Sequence, residues 1–433
     1  MRFCDRFSPL LVLLALSIGS LGAQAPSVAA SAPMTLADAL QRAVAAEPRL
    51  RLNATRAEAA EGKIEQAGLR PNPVIGVEAE NLLGTGPLSG VQGLEVTIGV
   101  SQVIETADKR ARRTDVARAE RMLVEWDRET ILAELEASLR SAFVEVLLAQ
   151  QLLQLRDEQL ALAERSAAET SRLVEAARSP EVERTRAQLA VRQQAFAVQQ
   201  AKRRLATAKS VLASFWGGAG DSGFSVVGRV HLDPTLPSFS ELEARLADTA
   251  ALARSSAQER VREAALDLEM ARAKPDVEVF AGTRYFNERD GDVAFLVGVE
   301  VPWTLFDLNQ GNIRTARAEL KAVSEERDAM RRERVIGLNR AYQQAQSAQA
   351  EAREIQSQLL PAAEATLRAT EGGYQRGQFN QLAVLESRGA LFEVREAYLE
   401  ALQRYRTAQA NIAALTRPAT SPFQANGAVL GHE

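Results

Sequence analysis

The sequence has few of the residues from which metal sites and catalytic sites are commonly built. Its 433 residues contain one cysteine, Cys4, and two histidines, His231 and His432. A disulfide framework is therefore excluded, and a dedicated metal site is not supported. Aromatic residues are scarce at 5%, and the net charge of −4 gives no support for a nucleic-acid partner. No nucleophile stands in a recognisable arrangement with a base, so we predict a protein that is not an enzyme and binds no cofactor.

Long apolar runs are missing beyond the N-terminus. Arg2 and Arg6 precede an apolar run at residues 10–18, and small residues follow it. This pattern predicts a secretory signal peptide over residues 1–25, with an apolar run too short to span a membrane. Cys4 lies inside this segment, so the exported chain is predicted to have no thiol. If the exported chain crosses a membrane, it must do so with β-strands, because no later stretch is apolar for the length of a membrane helix.

Proline and glycine are absent from residues 108–177. As one helix this tract would be about 105 Å long. Leu132, Leu135 and Leu139 begin a heptad-spaced apolar stripe that further apolar residues widen, which indicates neighbouring helices on both sides. A second tract, residues 310–371, contains Gly337 and Pro361, where we expect the helix to bend or loosen.

The most informative feature present is an internal repeat, at an offset of 199 to 200 residues. Residues 108–120 match residues 307–319 without a gap, and Gly99 matches Gly298. Each copy is predicted to contain, in this order, a helix, two strands, a very long helix, a tip and a further helix. The repeat divides the chain after the signal peptide into four predicted segments. They are a first repeat (34–216), a linker or insert packed beside the helices (217–240), a second repeat (241–417) and a flexible tail (418–433).

The predicted strands form two hairpins, at about residues 74–104 and 277–305. In one strand Val96 and Ile98 alternate with Thr97 and Gly99. This period is typical of the wall of a membrane β-barrel, although a half-buried soluble sheet has the same pattern. Four strands cannot close a barrel alone, since each unpaired edge amide in lipid costs several kcal/mol. We therefore expect several copies to close one ring.

The residues that flank these predicted strands resemble those of the TolC-like outer-membrane efflux channels, the outer membrane factors. They are Arg70-Pro71-Asn72-Pro73 before the first strand, Asp108-Lys109-Arg110 after the second, Pro302 with Phe306-Asp-Leu-Asn-Gln-Gly311 after the fourth, and Tyr374-Gln-Arg-Gly377 at the second tip. The resemblance extends from Met34 to about Arg417. It implies a mainly α fold with transmembrane β-strands, in which four strands per chain contribute to a shared twelve-stranded β-barrel and long coiled-coil helices form a twelve-helix periplasmic α-barrel.

The same resemblance implies a homotrimer in the lipid of the cell outer membrane, with a large periplasmic extension. Its expected partners are a periplasmic adaptor (membrane fusion) protein and an inner-membrane pump of the resistance-nodulation-division type. The expected function is a passive conduit of a tripartite efflux system that exports small solutes or metal cations. The short tips are most similar to the heavy-metal and cation branch.

In that family the tunnel narrows at the helical tips, where acidic residues and a Tyr/Arg network hold it closed. Counted from Tyr374 and Gly377, the two acidic positions fall on Ala383 and Glu386, and only the second is acidic here. The first tip offers Glu181, in a loop expected to be one residue shorter than the second. Arg178 and Arg376 are expected to pair across neighbouring tips. The candidate gate residues are Glu181, Glu386, Tyr374, Arg376 and Arg178.

Other interpretations of these features stay open. The tip residues are alternatively solvated surface charges, and for Arg178 this alternative is equally good. Trp303 and Phe306 fit an aromatic belt at the membrane rim as well as they fit packing against the insert. A periplasmic adaptor or a structural coiled-coil envelope protein is the alternative function. The adaptor would have one helical hairpin rather than two full copies, and the coiled-coil protein would have no use for alternating strands.

Overall fold

The computed structural model describes residues 33–218, 223–228, 230–233 and 235–419. The predicted signal peptide with Cys4, His432 and residues 420–433 of the predicted tail lie outside the described residues. The first half contains α1 (Leu36–Ala46), α2 (Pro48–Gly68), β1 (Val74–Glu80), β2 (Glu95–Ile104), α3 (Lys109–Glu175) and α4 (Glu181–Ser214). The second half contains α5 (Phe239–Arg245), α6 (Ala250–Arg272), β3 (Val277–Phe286), β4 (Asp292–Glu300), α7 (Gln310–Glu354), α8 (Leu360–Gln375) and α9 (Gln381–Thr416).

Local signals explain where the first helices begin. The hydroxyl of Thr35 accepts a hydrogen bond from the backbone N of Asp38 at 3.2 Å, and the Asp38 carboxylate accepts one from the backbone N of Thr35 at 3.0 Å. This reciprocal pair satisfies two backbone donors at the start of α1. Pro48 is the first residue of α2. The N–H of a residue at this position makes no hydrogen bond within the helix, so proline is well tolerated there. Residues 47 and 48 therefore form the junction between α1 and α2.

The four strands form one antiparallel sheet in the order β1-β2-β3-β4. Gly76 faces Gly99, and Gly99 faces Gly282, so three glycines lie side by side on three strands. Because successive residues point to opposite faces, this register separates a polar face from an apolar face. Large exposed side chains of the apolar face are Ile75, Val77, Ile98, Val100, Phe295, Val297 and Val299. The mainly helical fold with four strands is confirmed, whereas the shared barrel stays a prediction.

The long first tract is one unbroken helix. The 67 residues of α3 correspond to a length of about 100 Å. α3 packs against α2, α4, α6 and α9, which accounts for its wide apolar stripe. Leu135, Leu139 and Val146 are buried in one core cluster, and Leu338 and Tyr405 are buried in the corresponding cluster of the second repeat. Among the described residues no helix combines the length and apolar character needed to cross a membrane.

The second tract loosens at only one of the two expected places. Residues 355–359 form a π-helical turn between α7 and α8, which ends two residues before Pro361. Proline lacks the N–H for an i to i−4 hydrogen bond, and its ring crowds the carbonyl four residues back. At Gly337 α7 continues as regular α-helix, so the helix does not loosen there, and a bend at Gly337 stays a prediction. Gly337 lies beside Leu415 of α9, and a missing side chain leaves the backbone hydrogen bonds of a packed helix intact.

The described part of the insert lies against the helices of both repeats. Val226 pairs with Met34, and Phe224 is buried in the core cluster of the first repeat. Asp233 binds the second repeat: Arg406 Nη1 lies 3.1 Å from its Oδ2, and Gln409 Nε2 donates to the same oxygen at 2.6 Å. Burial by itself would raise the pKa of Asp233. The hydrogen bond from Gln409 and the charges of Arg406 and His231 outweigh burial and hold this pKa below its ordinary range.

The aromatic residues after β4 do not pack against the described part of the insert. Trp303 and Phe306 are 86% and 90% exposed, and Leu305 between them is 60% exposed. Packing against the insert within one chain is therefore the wrong alternative for these residues. Adjacent apolar side chains with this exposure are typical of a surface that contacts a membrane or another protein chain. A membrane rim and contact with another chain are therefore the remaining interpretations.

Candidate functional site

The polar face of the sheet is held together by one arginine. The Arg284 guanidinium on β3 lies 2.8 Å from a carboxylate oxygen of Glu80 on β1 and 3.1 Å from one of Glu95 on β2. Its Nε also donates to Thr97 Oγ1 at 2.9 Å. One planar guanidinium thus links three strands, which suits its fixed fork of donors.

This polar face has an excess of negative charge. Arg284 is the one basic residue within the strands, whereas the acidic residues of the face are Glu78, Glu80, Glu95, Glu278, Asp292 and Glu300. Glu278 lies directly opposite Glu300 on the neighbouring strand. Like charges at such short range repel each other and attract cations. In the part of the chain that the structure describes, no group of three or more His, Cys, Asp or Glu residues is placed to hold a metal ion.

The outer edges of the sheet have no strand partner among the described residues. β1 pairs only with β2, and β4 pairs only with β3. An unpaired edge presents a row of free N–H and C=O groups, which is a template for another strand. β1 and β4 run in opposite directions, so β4 of one chain is correctly oriented to form an antiparallel pair with β1 of another.

The two helical tips have the same turn, at an offset of 200 residues. In the first, the N–H of Arg178 donates to Leu173 O at 2.8 Å; in the second, the N–H of Gln378 donates to Gly373 O at 2.9 Å. The tips reverse at Ala177 (φ 56°) and Gly377 (φ 72°). Residues 176–180 connect α3 to α4 and residues 376–380 connect α8 to α9. The expectation that the first tip is one residue shorter is therefore wrong.

The equal lengths change which gate residues correspond to each other. Glu181 corresponds to Gln381, and Ala383 corresponds to Glu183 of the first tip. The first tip thus has a carboxylate at the position where the second tip has Ala383. Comparison of the two repeats in the sequence missed Glu183, because it assumed that the first tip is one residue shorter. Glu183 is bound by Arg186 at 2.7 Å, so part of its charge is neutralised within its own helix.

The structure places the five predicted gate residues at the two tips without joining them in one network. Glu181 is bound by Arg184, one turn further along α4, at 2.5 Å. Arg376 Nε donates to Gln378 within its own tip at 3.2 Å. Arg178 and Glu386 are exposed.

Tyr374 is the candidate that links the two repeats. Its hydroxyl donates to Glu169 Oε1 in α3 at 3.4 Å, across 205 positions of sequence. Burial, followed by the charge of Glu169, raises the pKa of Tyr374 above its ordinary value. Glu169 was absent from the predicted set, because a contact between helices so distant in sequence leaves no local pattern.

The other contacts between the repeats at the tips are long and uncharged. Gln381 Nε2 in α9 donates to Ser166 Oγ at 3.4 Å and to Thr170 Oγ1 at 3.3 Å, both in α3. Further from the tips, α3 and α9 are joined by the ion pair between Arg156 and Glu396. Hydrogen bonds of these lengths are weak. The hydrogen bonds that join α3 to α9 at the tips are therefore weaker than the ion pair that joins them further from the tips.

Comparison with known proteins extends this description. Residues 242–416 match the outer membrane efflux protein family. The cobalt-zinc-cadmium resistance protein CzcC of Cupriavidus metallidurans is 29% identical over 380 residues, which cover 88% of this chain and 89% of CzcC. A solved structure of CusC has a TM-score of 0.68 at 16% identity and covers 88% of this chain and 91% of its own. The outer membrane protein VceC of Vibrio cholerae has a TM-score of 0.67 at 16% identity, with 89% and 96% covered.

Proposed function

We propose that this chain, whose residues 242–416 match the outer membrane efflux protein family, is the outer-membrane channel of a tripartite efflux system. The observation that carries the proposal is the four-stranded sheet with two unpaired edges and an exposed apolar face. In lipid such a sheet is stable only when closed, because no water satisfies its edge amides. Three copies close it into twelve strands, with the apolar face toward lipid and the polar face toward the lumen.

The helices extend the channel away from the membrane. α3 alone corresponds to about 100 Å of helix, and with α4, α7, α8 and α9 it forms two hairpins per chain that end at the tips. Four such helical limbs from each of three chains make a twelve-helix tunnel through the periplasm. At its far end the tunnel meets a periplasmic adaptor protein and an inner-membrane pump of the resistance-nodulation-division type, which supplies the energy for export.

Divalent metal cations are the proposed cargo. The relative CzcC is named for resistance to cobalt, zinc and cadmium, and the polar face of this sheet carries six carboxylates against one guanidinium. A lumen lined by net negative charge favours cations. The wall repels anions by the same charge, while selection among metals belongs to the pump and the adaptor.

The tips are the proposed gate of this channel. The contact between Tyr374 and Glu169 joins the two hairpins of one chain near their tips. The exposed Arg178 and Arg376 are proposed to pair with carboxylates of neighbouring chains, with Glu181 and Glu386 as the candidates. The hydrogen bonds between the two tips of one chain are long and therefore weak. A partner protein that binds the tips could separate them by breaking only these bonds.

Membrane fractionation tests the channel against its alternatives. We expect the native protein in the outer-membrane fraction, as an oligomer in unheated gel samples that becomes a monomer on heating. Purified oligomer should conduct ions across a planar bilayer with cations preferred over anions. A monomer in the soluble periplasmic fraction would exclude the channel and favour an adaptor or a structural coiled-coil protein.

Growth of a strain that lacks the gene tests the cargo. Loss of the gene should lower the tolerated concentrations of cobalt, zinc and cadmium salts, and the intact gene supplied in trans should restore them. Sensitivity to a hydrophobic antibiotic should be unchanged. The reverse pattern would assign organic compounds as the cargo while leaving the channel function intact.

A further inference from the structure

At the sheet and the helix ends next to it, the first repeat packs against the second through a set of contacts that we call the inner seam. In it β2 pairs with β3, so that Val100 faces Ala281. Beyond the strands, Lys109 Nζ at the start of α3 lies 2.7 Å from Asp276 Oδ1, just before β3. Arg112 of α3 lies 3.0 Å from Asp267 of α6. The inner seam is thus a strand pair continued by ion pairs.

The internal repeat relates the free strand edges to this inner seam. The gapless match of the repeats places Gly99 on Gly298, and hence Val100 of β2 on Val299 of β4. Within the first hairpin Val77 faces Ile98, and within the second Ala281 faces Val297. Since Ile98 corresponds to Val297, Val77 of β1 corresponds to Ala281 of β3.

Transferring the inner seam to the free edges gives a specific contact between chains. We propose that β4 pairs antiparallel with β1 of a second copy of this chain, in the register that places Val299 opposite Val77. We call this contact the outer seam. It rests on the proposed channel function, which already brings β4 of one copy to β1 of the next, and it adds the exact register of that pair. The neighbouring pair of the same register is Val297 opposite Ala79, which corresponds to Ile98 opposite Thr283 within the chain.

Two properties of the sheet agree with this register. First, apolar residues face apolar residues across the outer seam, so that the two-faced pattern of the sheet continues from chain to chain. Second, a path straight across the strands runs from Gly76 through Gly99, Gly282 and Leu296 to Glu80 of the next copy.

That path returns to β1 displaced along the strand from where it started. The displacement of four residues is about 13 Å across four strand spacings that total about 19 Å, which gives a tilt of about 35°. Membrane β-barrels have strand tilts of about 35–45°. Shifting the outer seam by two residues gives a tilt of about 19° or about 46°, and both shifts break the equivalence of the two repeats.

The chemistry of the outer seam differs from that of the inner seam. By the same correspondence, Lys109 and Asp276 are replaced at the outer seam by Leu308 and Asn72. Leu308 is 51% exposed in the single chain, and Trp303 nearby is 86% exposed. The ion pair of the inner seam therefore has no counterpart at the outer seam, where the exposed apolar side chains of Leu308 and Trp303 stand near Asn72 of the next copy. Trp303 and Leu308 follow β4 in the chain and lie on the side of its free edge. Because this edge pairs with β1 of a second copy, the same copy covers these side chains.

Cysteine cross-linking tests the register directly, because the sequence has no cysteine after Cys4. Opposite residues of an antiparallel pair have Cα atoms about 4.5–5.5 Å apart, within the range that a disulfide bridges. The double variant V77C/V299C should therefore form a covalent ladder, at two and three times the mass of the monomer, in heated non-reducing gels. The double variant A79C/V297C should do the same, and reductant should return both to monomer.

Matched variants separate the register from assembly in general. V100C/A281C is the equivalent pair of the inner seam, so it should form its disulfide within one chain and give no ladder. V77C/V297C and V77C/V301C shift the outer seam by two residues, about 6.6 Å along the strand, and should remain monomeric. A ladder from either shifted pair, with none from V77C/V299C, would overturn the proposed register.

The unheated samples distinguish failure of the seam from failure of the proposed function. If the reduced variants form the same heat-sensitive oligomer as the wild type but no pair forms a ladder, the register proposed for the outer seam is wrong while the channel stands. If the wild type itself forms no oligomer in the outer membrane, the channel function fails and the outer seam with it.

Discussion

The ring of Phe280 on β3 lies over Gly99 on β2. A Cβ atom built on Gly99 would overlap Cε2 and Cζ of this ring, and it would stand 3.1 Å from the carbonyl oxygen of Ala281. Gly282 beside it is covered by the same ring. The missing side chains thus make room on the polar face for an aromatic ring that spans two strands.

Substitution of Gly99 should therefore disturb the sheet. Gly99→Ala must displace Phe280, and we expect a loss of about 1–3 kcal/mol in stability, measured as a lower temperature at which the oligomer dissociates in detergent. Gly76→Ala is the matched control, since no atom lies within 4 Å of a Cβ built there. Adding Phe280→Leu to Gly99→Ala should restore part of the loss. Equal behaviour of the two glycine variants would contradict this role of the ring.

Loss of Arg284 should affect both stability and ion selectivity. Arg284→Gln leaves the carboxylates of Glu80 and Glu95 without their shared cation, which we expect to cost about 1–3 kcal/mol. It also removes the one positive charge of the polar face, so reversal potentials in a salt gradient should shift toward greater cation preference. Arg289→Gln in the exposed β3–β4 turn is the control. A shift toward anions would show that this face does not line the lumen.

The double substitution of Tyr374→Phe and Arg376→Ala should loosen the tips. It removes the hydroxyl that binds Glu169 and the charge of Arg376 that is proposed to pair with a neighbouring chain. We expect a higher single-channel conductance in a planar bilayer, and Glu169→Gln alone should give a smaller increase. Arg178→Ala tests separately whether the first tip contributes. Unchanged conductance of the double variant would remove Tyr374 and Arg376 from the gate.

Asp233→Asn should weaken the attachment of the insert to α9. Arg406 and Gln409 would lose their shared carboxylate, at a cost of about 1–3 kcal/mol. The pKa of Asp233 is lowered in the folded chain, so its contribution is complete above the ordinary carboxyl pKa of about 3.9. It is lost as the pH falls through the lowered folded value.

Thermal unfolding at several pH values checks this prediction. The difference between wild type and Asp233→Asn should be constant from pH 5 to pH 8 and should shrink below about pH 4. Asp248→Asn is the control, because Asp248 is exposed at the end of the short turn after α5. A difference that persists at low pH would mean that the charge of Asp233 is not what attaches the insert.

Ala177→Gly should stabilise the first tip. Ala177 has a φ of 56°, a left-handed conformation that glycine adopts without steric cost and that the second tip gives to Gly377. We expect a gain of about 0.5–1 kcal/mol in thermal or denaturant unfolding. Ala176→Gly, one residue earlier with a φ of −81°, should give no gain. Equal effects of the two changes would argue against backbone strain at the first tip.

The sequence by itself determined the elements and their repetition. The lack of proline and glycine in residues 108–177 predicts one long helix, and alternating residues such as Val96 and Thr97 predict strands with two faces. These are local periodic signals, so a single chain contains all the information needed. The loosening at Pro361 was predictable for the same reason, since a missing N–H acts on its own helix turn.

Tertiary structure alone decided how those elements meet. The equal lengths of the two tips follow from backbone hydrogen bonds at Arg178 and Gln378, at positions where the repeats share too few residues to fix an alignment gap. The contacts of Tyr374 with Glu169 and of Asp233 with Arg406 join residues more than 170 positions apart. Such pairs are set by the packing of whole helices, and packing depends on side-chain shape along the full interface. No local pattern in the sequence carries that information.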